Sequence, residues 1–122
     1  MIRKTLLAVA AALAISAGVL LAAPKKPSSV IHVVTVKWKA DAPADQIAAA
    51  IKAAEAINYP GLTRIWTNAI KKQLPEGYTS IIVMEFESQD ALKKYAGSEA
   101  QQSWYKVYMP IREESRTHDV TN

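Results

Sequence analysis

The sequence contains no cysteine, and only two histidines occur among its 122 residues. The absence of cysteine excludes a disulfide framework and lipid attachment at a signal-peptide cysteine. Two histidines leave little material for a serine or cysteine triad or for a zinc site. The phosphate-binding loop, the dinucleotide fingerprint, the EF-hand loop and the G-x-S-x-G nucleophile motif do not occur either. We therefore expect neither a bound metal nor a cofactor.

The first 23 residues have the layout of an export signal. Met1–Lys4 is a short basic cap, and an apolar run follows from Leu6 to Ala23. A basic start, an apolar centre and small residues near the end are typical of a secretory signal peptide, although the cleavage site stays open. We predict a periplasmic or secreted protein. Because the run is close to the roughly 20 residues that span a bilayer, an uncleaved membrane anchor is one alternative, and a buried core helix is another.

The positive charge of the chain does not indicate a nucleic-acid partner. The formal net charge is +4, but 13 basic and 11 acidic residues remain once Arg3 and Lys4 are set aside. The pairs Lys71–Lys72 and Lys93–Lys94 belong to no basic stripe with interleaved aromatic residues, so we interpret them as solvated surface. An uncleaved N-terminal segment is the one membrane contact that the sequence predicts.

Residues 24–29 read as a proline- and serine-containing linker, and residues 30–122 as a single domain. The apolar spacing, the turn residues and the helix-capping serines predict its elements. They are a strand at Val30–Lys39, a helix from Ala44 to Ile57, strands at Leu62–Ile70 and Tyr78–Glu87, helical segments begun by Ser88 and Ser98, and a last strand at Arg116–Thr121.

This order is the split βαβ repeat of a ferredoxin-like α+β domain, with a four-stranded antiparallel sheet and helices on one side. We place Tyr78, Ser80 and Met84 on the helix side with alternate residues of the first strand. The opposite face carries Val33, Thr35, Ile81 and Val83 and is too apolar to leave in water. A second copy of the same sheet would cover it, so we predict a homodimer that closes a dimeric α+β barrel.

In order and spacing, these segments resemble the stress-responsive alpha–beta barrel family, called Dabb, over about residues 31–121. The resemblance is carried by His32–Lys39, Pro60–Leu62, Gly77–Tyr95 and His118–Val120. It implies a dimeric α+β barrel. The nearest rival is the antibiotic-biosynthesis monooxygenase-like family of the same superfamily.

The family includes a polyketide cyclase that needs neither cofactor nor metal, and the resemblance implies a pocket between sheet and helices. The pocket lining would fall on His32, Val34, Val36, Ser80, Ile82, Met84, Tyr95 and Gln101. Tyr95 matches the tyrosine of the cyclase, but Gln101 and Ser80 stand where the cyclase has histidines. Because an amide cannot take a proton near neutral pH, Gln101 would orient a ligand and would not act as a base.

His32 and Tyr95 are the candidate catalytic residues, as a general base and a hydrogen-bond donor. The alternatives are a structural histidine at the pocket rim and a core tyrosine. Trp104 would contribute to the pocket floor. In the predicted sheet the last strand lies antiparallel beside the first, which would bring His118 near His32.

Three functions stay open from the sequence, and it does not decide whether the protein is an enzyme. The first is an exported homodimer that binds a small, mostly apolar molecule between sheet and helices. The second is a cofactor-independent lyase, cyclase or monooxygenase that uses His32 and Tyr95. The third is a non-catalytic interaction protein of the cell envelope, whose pocket is filled by its own side chains.

Overall fold

The computed structural model describes residues 23–122, so the predicted signal segment lies outside the described residues except for Ala23. The elements are β1 (Val30–Trp38), α1 (Ala44–Glu55), β2 (Leu62–Trp66), β3 (Tyr78–Phe86), α2 (Gln89–Tyr95), α3 (Glu99–Tyr108) and β4 (Arg112–Val120), with a 3-10 turn at Met109–Ile111. No helix in this part of the chain has the length and apolarity needed to cross a membrane.

The four strands form one antiparallel sheet in the order β2-β3-β1-β4. The helices pack on one face of this sheet, where β1 and β3 contribute the largest share of the buried side chains. The core of sheet and helix residues includes Val34, Val36, Ile82, Met84, Phe86, Ala50, Ala54, Tyr95, Trp104 and Tyr108. The predicted ferredoxin-like α+β fold is confirmed.

Helices α2 and α3 begin at the serines that the sequence predicted. The Ser88 hydroxyl accepts from the Ala91 amide at 3.1 Å, and the Ser98 hydroxyl accepts from the Gln101 amide at 3.3 Å. Gly97 separates the two helices with a φ of 81°, which glycine adopts without steric cost. The Gln101 side chain accepts from the Gly97 amide at 2.6 Å. These caps fix the two helices that cover the candidate site.

Helix α3 is held against α1 by Trp104. Its indole N–H donates to the backbone carbonyl of Ala50 at 3.0 Å, and its ring stacks on Tyr108 with centroids 4.2 Å apart. Ala50 and Ala54 are fully buried, and their small side chains let the two helices approach closely. The buried indole N–H therefore has the partner that burial requires.

One prediction about the faces of the sheet is wrong, because β3 contains an extra residue. Val36 pairs with Ser80 but Lys37 pairs with Tyr78, so Thr79 is skipped in the ladder. Such a bulge reverses the alternation of side chains. Tyr78 therefore lies on the open face, where the Arg116 guanidinium is 5.1 Å from its ring centre, and not beside Ser80.

Several element boundaries also differ from those predicted. The last strand begins at Arg112, four residues before the predicted start, because its pairing with β1 extends to that residue. Its outward positions carry charges, as edge strands commonly do, so the apolar pattern does not reveal them. The second strand ends at Trp66 and not at Ile70. Helix α1 ends at Glu55, although Ile57 beyond it still packs on the core.

The face without helices has an apolar centre and charged margins. Val33, Ile81 and Val83 are partly exposed there, and Trp66 is 45% exposed at the adjoining edge strand. The sequence predicted such an apolar face, not covered by helices, on one side of the sheet.

Candidate functional site

A cavity of about 100 Å³ lies between the helix side of the sheet and helices α2 and α3. Six of the residues predicted to line a pocket line this cavity, namely His32, Val34, Met84, Tyr95, Gln101 and Trp104. The structure therefore brings six of the nine residues together around one space, and their role as a ligand site stays a prediction.

The other three predicted lining residues do not reach the cavity. The indole N–H of Trp38 donates to the Ser80 hydroxyl at 2.9 Å, and the Trp38 ring meets Tyr108 edge-on at 5.8 Å. Trp38 thus occupies the space in front of Ser80. Val36 and Ile82 are fully buried in the core beside it.

His32 forms a close pair with Asp119 across β1 and β4. The imidazole Nδ1 is 2.5 Å from a carboxylate oxygen of Asp119, and the two residues are direct partners in the ladder. Because a carboxylate only accepts hydrogen bonds, Nδ1 is the donor of this contact. The predicted neighbour, His118, is instead paired with Val33, and it lies on the open face.

A larger groove of about 500 Å³ opens on the other side of this pair. Its walls come from α2 and from the ends of β1 and β4, and they are mostly apolar. They comprise Val30, His32, Gln89, Leu92, Lys93, Ala96, Asp119, Val120 and Thr121. His32 belongs to both walls, and with 17% of its side chain exposed it separates the inner cavity from the outer groove.

The Tyr95 hydroxyl is a buried polar group at the inner cavity. Tyr95 is 1% exposed, its ring contacts Phe86 at 5.3 Å and Tyr59 at 5.6 Å between centroids, and its hydroxyl has no hydrogen-bond partner among the described residues. Burial, assisted by Tyr105, raises the pKa of Tyr95 well above its ordinary value. Tyr95 is therefore a neutral hydrogen-bond donor at physiological pH.

Sequence reasoning missed the polar residues that β4 and the end of α3 bring to the cavity. These are Tyr105, Tyr108, Arg112, Ser115 and Thr117, together with Asp119 outside it. From Ser115 to Asp119 they recur at every second position, the period of a strand. This period of two can be read from the sequence, but Ser115 joins it only when the last strand begins before the predicted start at Arg116.

Arg112 is the charged member of this group. Its Nη1 donates to the Ser115 hydroxyl at 3.1 Å, and its guanidinium carbon is 5.5 Å from the Tyr108 ring centre. Burial raises the pKa of Tyr108, against the opposite effect of Ser115 and Arg112. The cavity therefore combines a cation, neutral hydroxyl donors and the imidazole of His32.

Within residues 23–122, no three histidine, aspartate or glutamate side chains lie together as a metal site. The side chains of the cavity can offer proton transfer at the imidazole of His32 and hydrogen-bond donation from Tyr95, Tyr108 and Arg112.

No curated protein matches the chain. Among solved structures, a dimeric ferredoxin-like protein of unknown function from Bacteroides fragilis is similar, with 17% identity and a TM-score of 0.64 over 80% of this chain and 100% of that one. A hydroxynitrile lyase from Passiflora edulis matches with 17% identity and a TM-score of 0.67 over 77% and 93%. A cofactor-independent oxygenase from Streptomyces nogalater matches with 13% identity and a TM-score of 0.54 over 78% and 93%. At such identities the likeness shows the fold.

The comparison with protein families goes further than the fold. The family model of the stress responsive A/B barrel domain matches residues 30–122, which is the whole domain from β1 to the end of the chain. The resemblance in the sequence is confirmed, and the chain belongs to the stress responsive A/B barrel (Dabb) family.

Proposed function

We propose that this Dabb protein is an exported homodimer that binds a small molecule beside the His32–Asp119 pair, between the sheet and the helices. The observation that carries the proposal is the position of this pair, which separates the inner cavity from the outer groove. A ligand that occupies both spaces has to pass the imidazole.

The open face of the sheet supports the homodimer. Its centre of Val33, Ile81 and Val83 would be removed from water by a second copy of the same face. A domain of this size buries only roughly 60–65% of its unfolded surface when alone, so it gains stability from a partner. The Bacteroides fragilis neighbour is also described as dimeric.

The two spaces suit the two ends of one ligand. The groove is lined by Val30, Leu92 and Val120 and would take an apolar body. The inner cavity would take a polar end that accepts a hydrogen bond from Tyr95. This arrangement favours a binding protein over an envelope protein whose pocket is filled.

The proposal of export rests on the N-terminal segment, where a basic start precedes the apolar run to Ala23. N-terminal sequencing of the protein recovered from separated cell fractions would test it. A mature chain outside the cytoplasm that begins near residue 24, or the whole chain in the membrane fraction, is expected. Full-length protein in the cytoplasm would overturn the export.

Native mass spectrometry tests the dimer and the ligand together. We expect the mass of two chains with an additional small mass that denaturation releases, and the released compound can then be identified by its fragments. A monomer at micromolar concentration would refute the homodimer. A dimer without adduct, in which no compound of a small-molecule library shifts the melting temperature, would refute the ligand site.

A second candidate function is cofactor-independent catalysis, and the 2.5 Å contact between His32 and Asp119 favours it. Asp119 fixes the imidazole so that Nε2 can take a proton from an acidic C–H or O–H of a substrate. Tyr95 would then stabilise the oxygen on which negative charge develops. Two similar structures are a hydroxynitrile lyase and a cofactor-independent oxygenase, and reactions of these classes are the ones to assay first.

The two histidines provide a matched test of this candidate. Cleavage of a hydroxynitrile such as mandelonitrile and oxygen uptake with a phenolic substrate are measured for the unchanged protein, His32→Ala and His118→Ala. For any activity found, His32→Ala is expected to lower kcat/KM by about 100-fold or more, the usual share of a general base. His118→Ala, on the opposite face, should leave kcat/KM unchanged. Equal losses in both variants would exclude His32 as the base.

A further inference from the structure

Arg112 is a cation without a carboxylate partner among residues 23–122. The ion pairs of this part of the chain join Lys37 to Glu113, Arg64 to Glu85 and Lys94 to Asp90, and Asp119 is hydrogen-bonded to His32. The two acids that follow Arg112 in the sequence are used on the other side of the sheet. Glu113 contacts Lys37, and Glu114 lies beside Tyr78.

The Nε–H of Arg112 is buried and has no hydrogen-bond acceptor among the described residues. A buried donor of a charged group left without a partner costs free energy, so such a group in a native structure requires an explanation. Its position in the wall of the inner cavity offers one, because a bound acceptor there would supply the missing partner.

Two buried tyrosine hydroxyls also lack a hydrogen-bond partner in this part of the chain. Tyr95 and Tyr108 are each 1% exposed, both line the inner cavity, and neither hydroxyl has a hydrogen bond of good geometry within residues 23–122. The Gln101 carbonyl oxygen is taken by the Gly97 amide, which leaves its NH₂ group as the free end. The cavity wall therefore supplies donors from three elements.

We propose that the inner cavity is a carboxylate site, in which Arg112, Tyr108 and Tyr95 hold the anionic end of a small monocarboxylic acid. The proposal rests on the proposed ligand site and names the class of its ligand. It follows from the donors around one space: within residues 23–122, a cation and two buried tyrosine hydroxyls without partners line it, and no aspartate or glutamate does.

The charge and size of the cavity select a carboxylate over a phosphate. One unpaired guanidinium neutralises one negative charge, whereas a phosphate monoester brings nearly two. The planar fork of a guanidinium matches the two oxygens of a carboxylate, and hydrogen bonds between charged groups are about twice as strong as neutral ones. A volume of about 100 Å³ accommodates a carboxylate with a few carbons, and a longer body would extend past His32 into the groove.

The test compares benzoate with benzamide, which have nearly the same shape but differ in charge. Binding to the purified protein is measured by isothermal titration at low ionic strength, with inorganic phosphate as a third probe. We expect benzoate to bind at least about tenfold more tightly than benzamide, because the charged hydrogen bonds are lost with the amide. Arg112→Gln should remove this preference, and Tyr108→Phe should weaken benzoate binding severalfold.

Arg116→Gln is the matched control, because Arg116 lies on the same strand but on the open face. It should leave benzoate binding unchanged. If Arg112→Gln does not fold, as judged by circular dichroism, the comparison of the probes on the unchanged protein decides alone.

The possible outcomes separate the two proposals. If benzoate and benzamide bind with equal affinity, the ligand site stands and the carboxylate site is refuted. If phosphate binds more tightly than benzoate, the site takes anions of another class. If no probe binds and no ligand co-purifies, both proposals fail.

Discussion

On the open face of the sheet, Lys37 and Arg64 each lie in an ion pair, with Glu113 at 3.1 Å and with Glu85 at 3.4 Å. On the helix face, Arg112 contacts a hydroxyl and an aromatic ring but no carboxylate of the described residues. These two cations of the open face are thus neutralised by the chain itself, whereas the partly buried Arg112 is not.

This contrast is the opposite of what stability alone would favour. An exposed ion pair contributes only about 0–1 kcal/mol to stability, whereas a buried charge without a partner costs considerably more. A chain selected for stability alone would pair Arg112 before Lys37. The difference agrees with the two proposals made above, in which the open face contacts a second copy of the chain and the helix face binds a ligand that carries the missing charge.

The largest expected effect is a difference in stability between truncations of two adjacent isoleucines of β3, one on each face of the sheet. Ile82 is fully buried under the helices, so Ile82→Ala should lower the free energy of unfolding by about 2–5 kcal/mol. Ile81→Ala, on the open face, should cost less than about 1 kcal/mol in dilute solution, where the chain is not paired. Urea unfolding followed by tryptophan fluorescence measures both.

Protein concentration sharpens this comparison. If two open faces pair, the stability of the dimer rises with concentration, and the cost of Ile81→Ala rises with it. The cost of Ile82→Ala should change little. The loss of stability in Ile81→Ala is measured at the lowest usable protein concentration and at 100 times that concentration. If the two losses are equal, this face has no partner in solution.

Much of the fold follows from local signals in the sequence. Ser88, Ser98 and Gly97 mark the ends of α2 and α3, because a capping hydroxyl and a left-handed glycine act through residues next to them in the chain. The alternation in β1 correctly placed His32 and Val34 on the helix face for the same reason.

The polar half of the cavity depends on long-range pairing, and for this reason it was not predicted. Asp119, and not His118, meets His32 because of the register of β4 on β1, which no local pattern determines. The bulge at Thr79 turned Tyr78 to the other face, and a single inserted residue leaves no periodic signal. Arg112 follows a proline-containing turn and lies before the start of the predicted last strand.

The second prediction concerns the sign of the effect of removing a charge from each face. Lys37→Met breaks an exposed ion pair and should lower the free energy of unfolding by no more than about 1 kcal/mol. Arg112→Met removes an uncompensated cation, so in buffer without carboxylates the free energy should be unchanged or higher by up to about 2 kcal/mol. Chemical unfolding of both variants provides the comparison.

Benzoate adds a control to this experiment. It should stabilise the unchanged protein and the Lys37→Met variant but not Arg112→Met, because only the last lacks the proposed anion partner. A loss of stability in Arg112→Met without benzoate, as large as that of a core truncation, would show that Arg112 is satisfied by the protein itself and would remove the contrast between the faces.

The smallest effect appears at alkaline pH and concerns Tyr95. Its pKa is raised in the folded protein by burial, so the tyrosine ionises more easily in the unfolded chain, where its pKa is near 10.0. The stabilisation from this difference is complete below pH 10 and is lost as the pH rises further, with a slope of at most about 1.4 kcal/mol per pH unit. Tyr95→Phe should therefore show unchanged or slightly higher stability at pH 8 and a flatter decline above pH 10, in urea unfolding at half-unit intervals. The same profile for both proteins would mean that the hydroxyl reaches solvent or a partner in the folded state, and the inner cavity would then lack one of the unpaired donors that distinguish it from the open face.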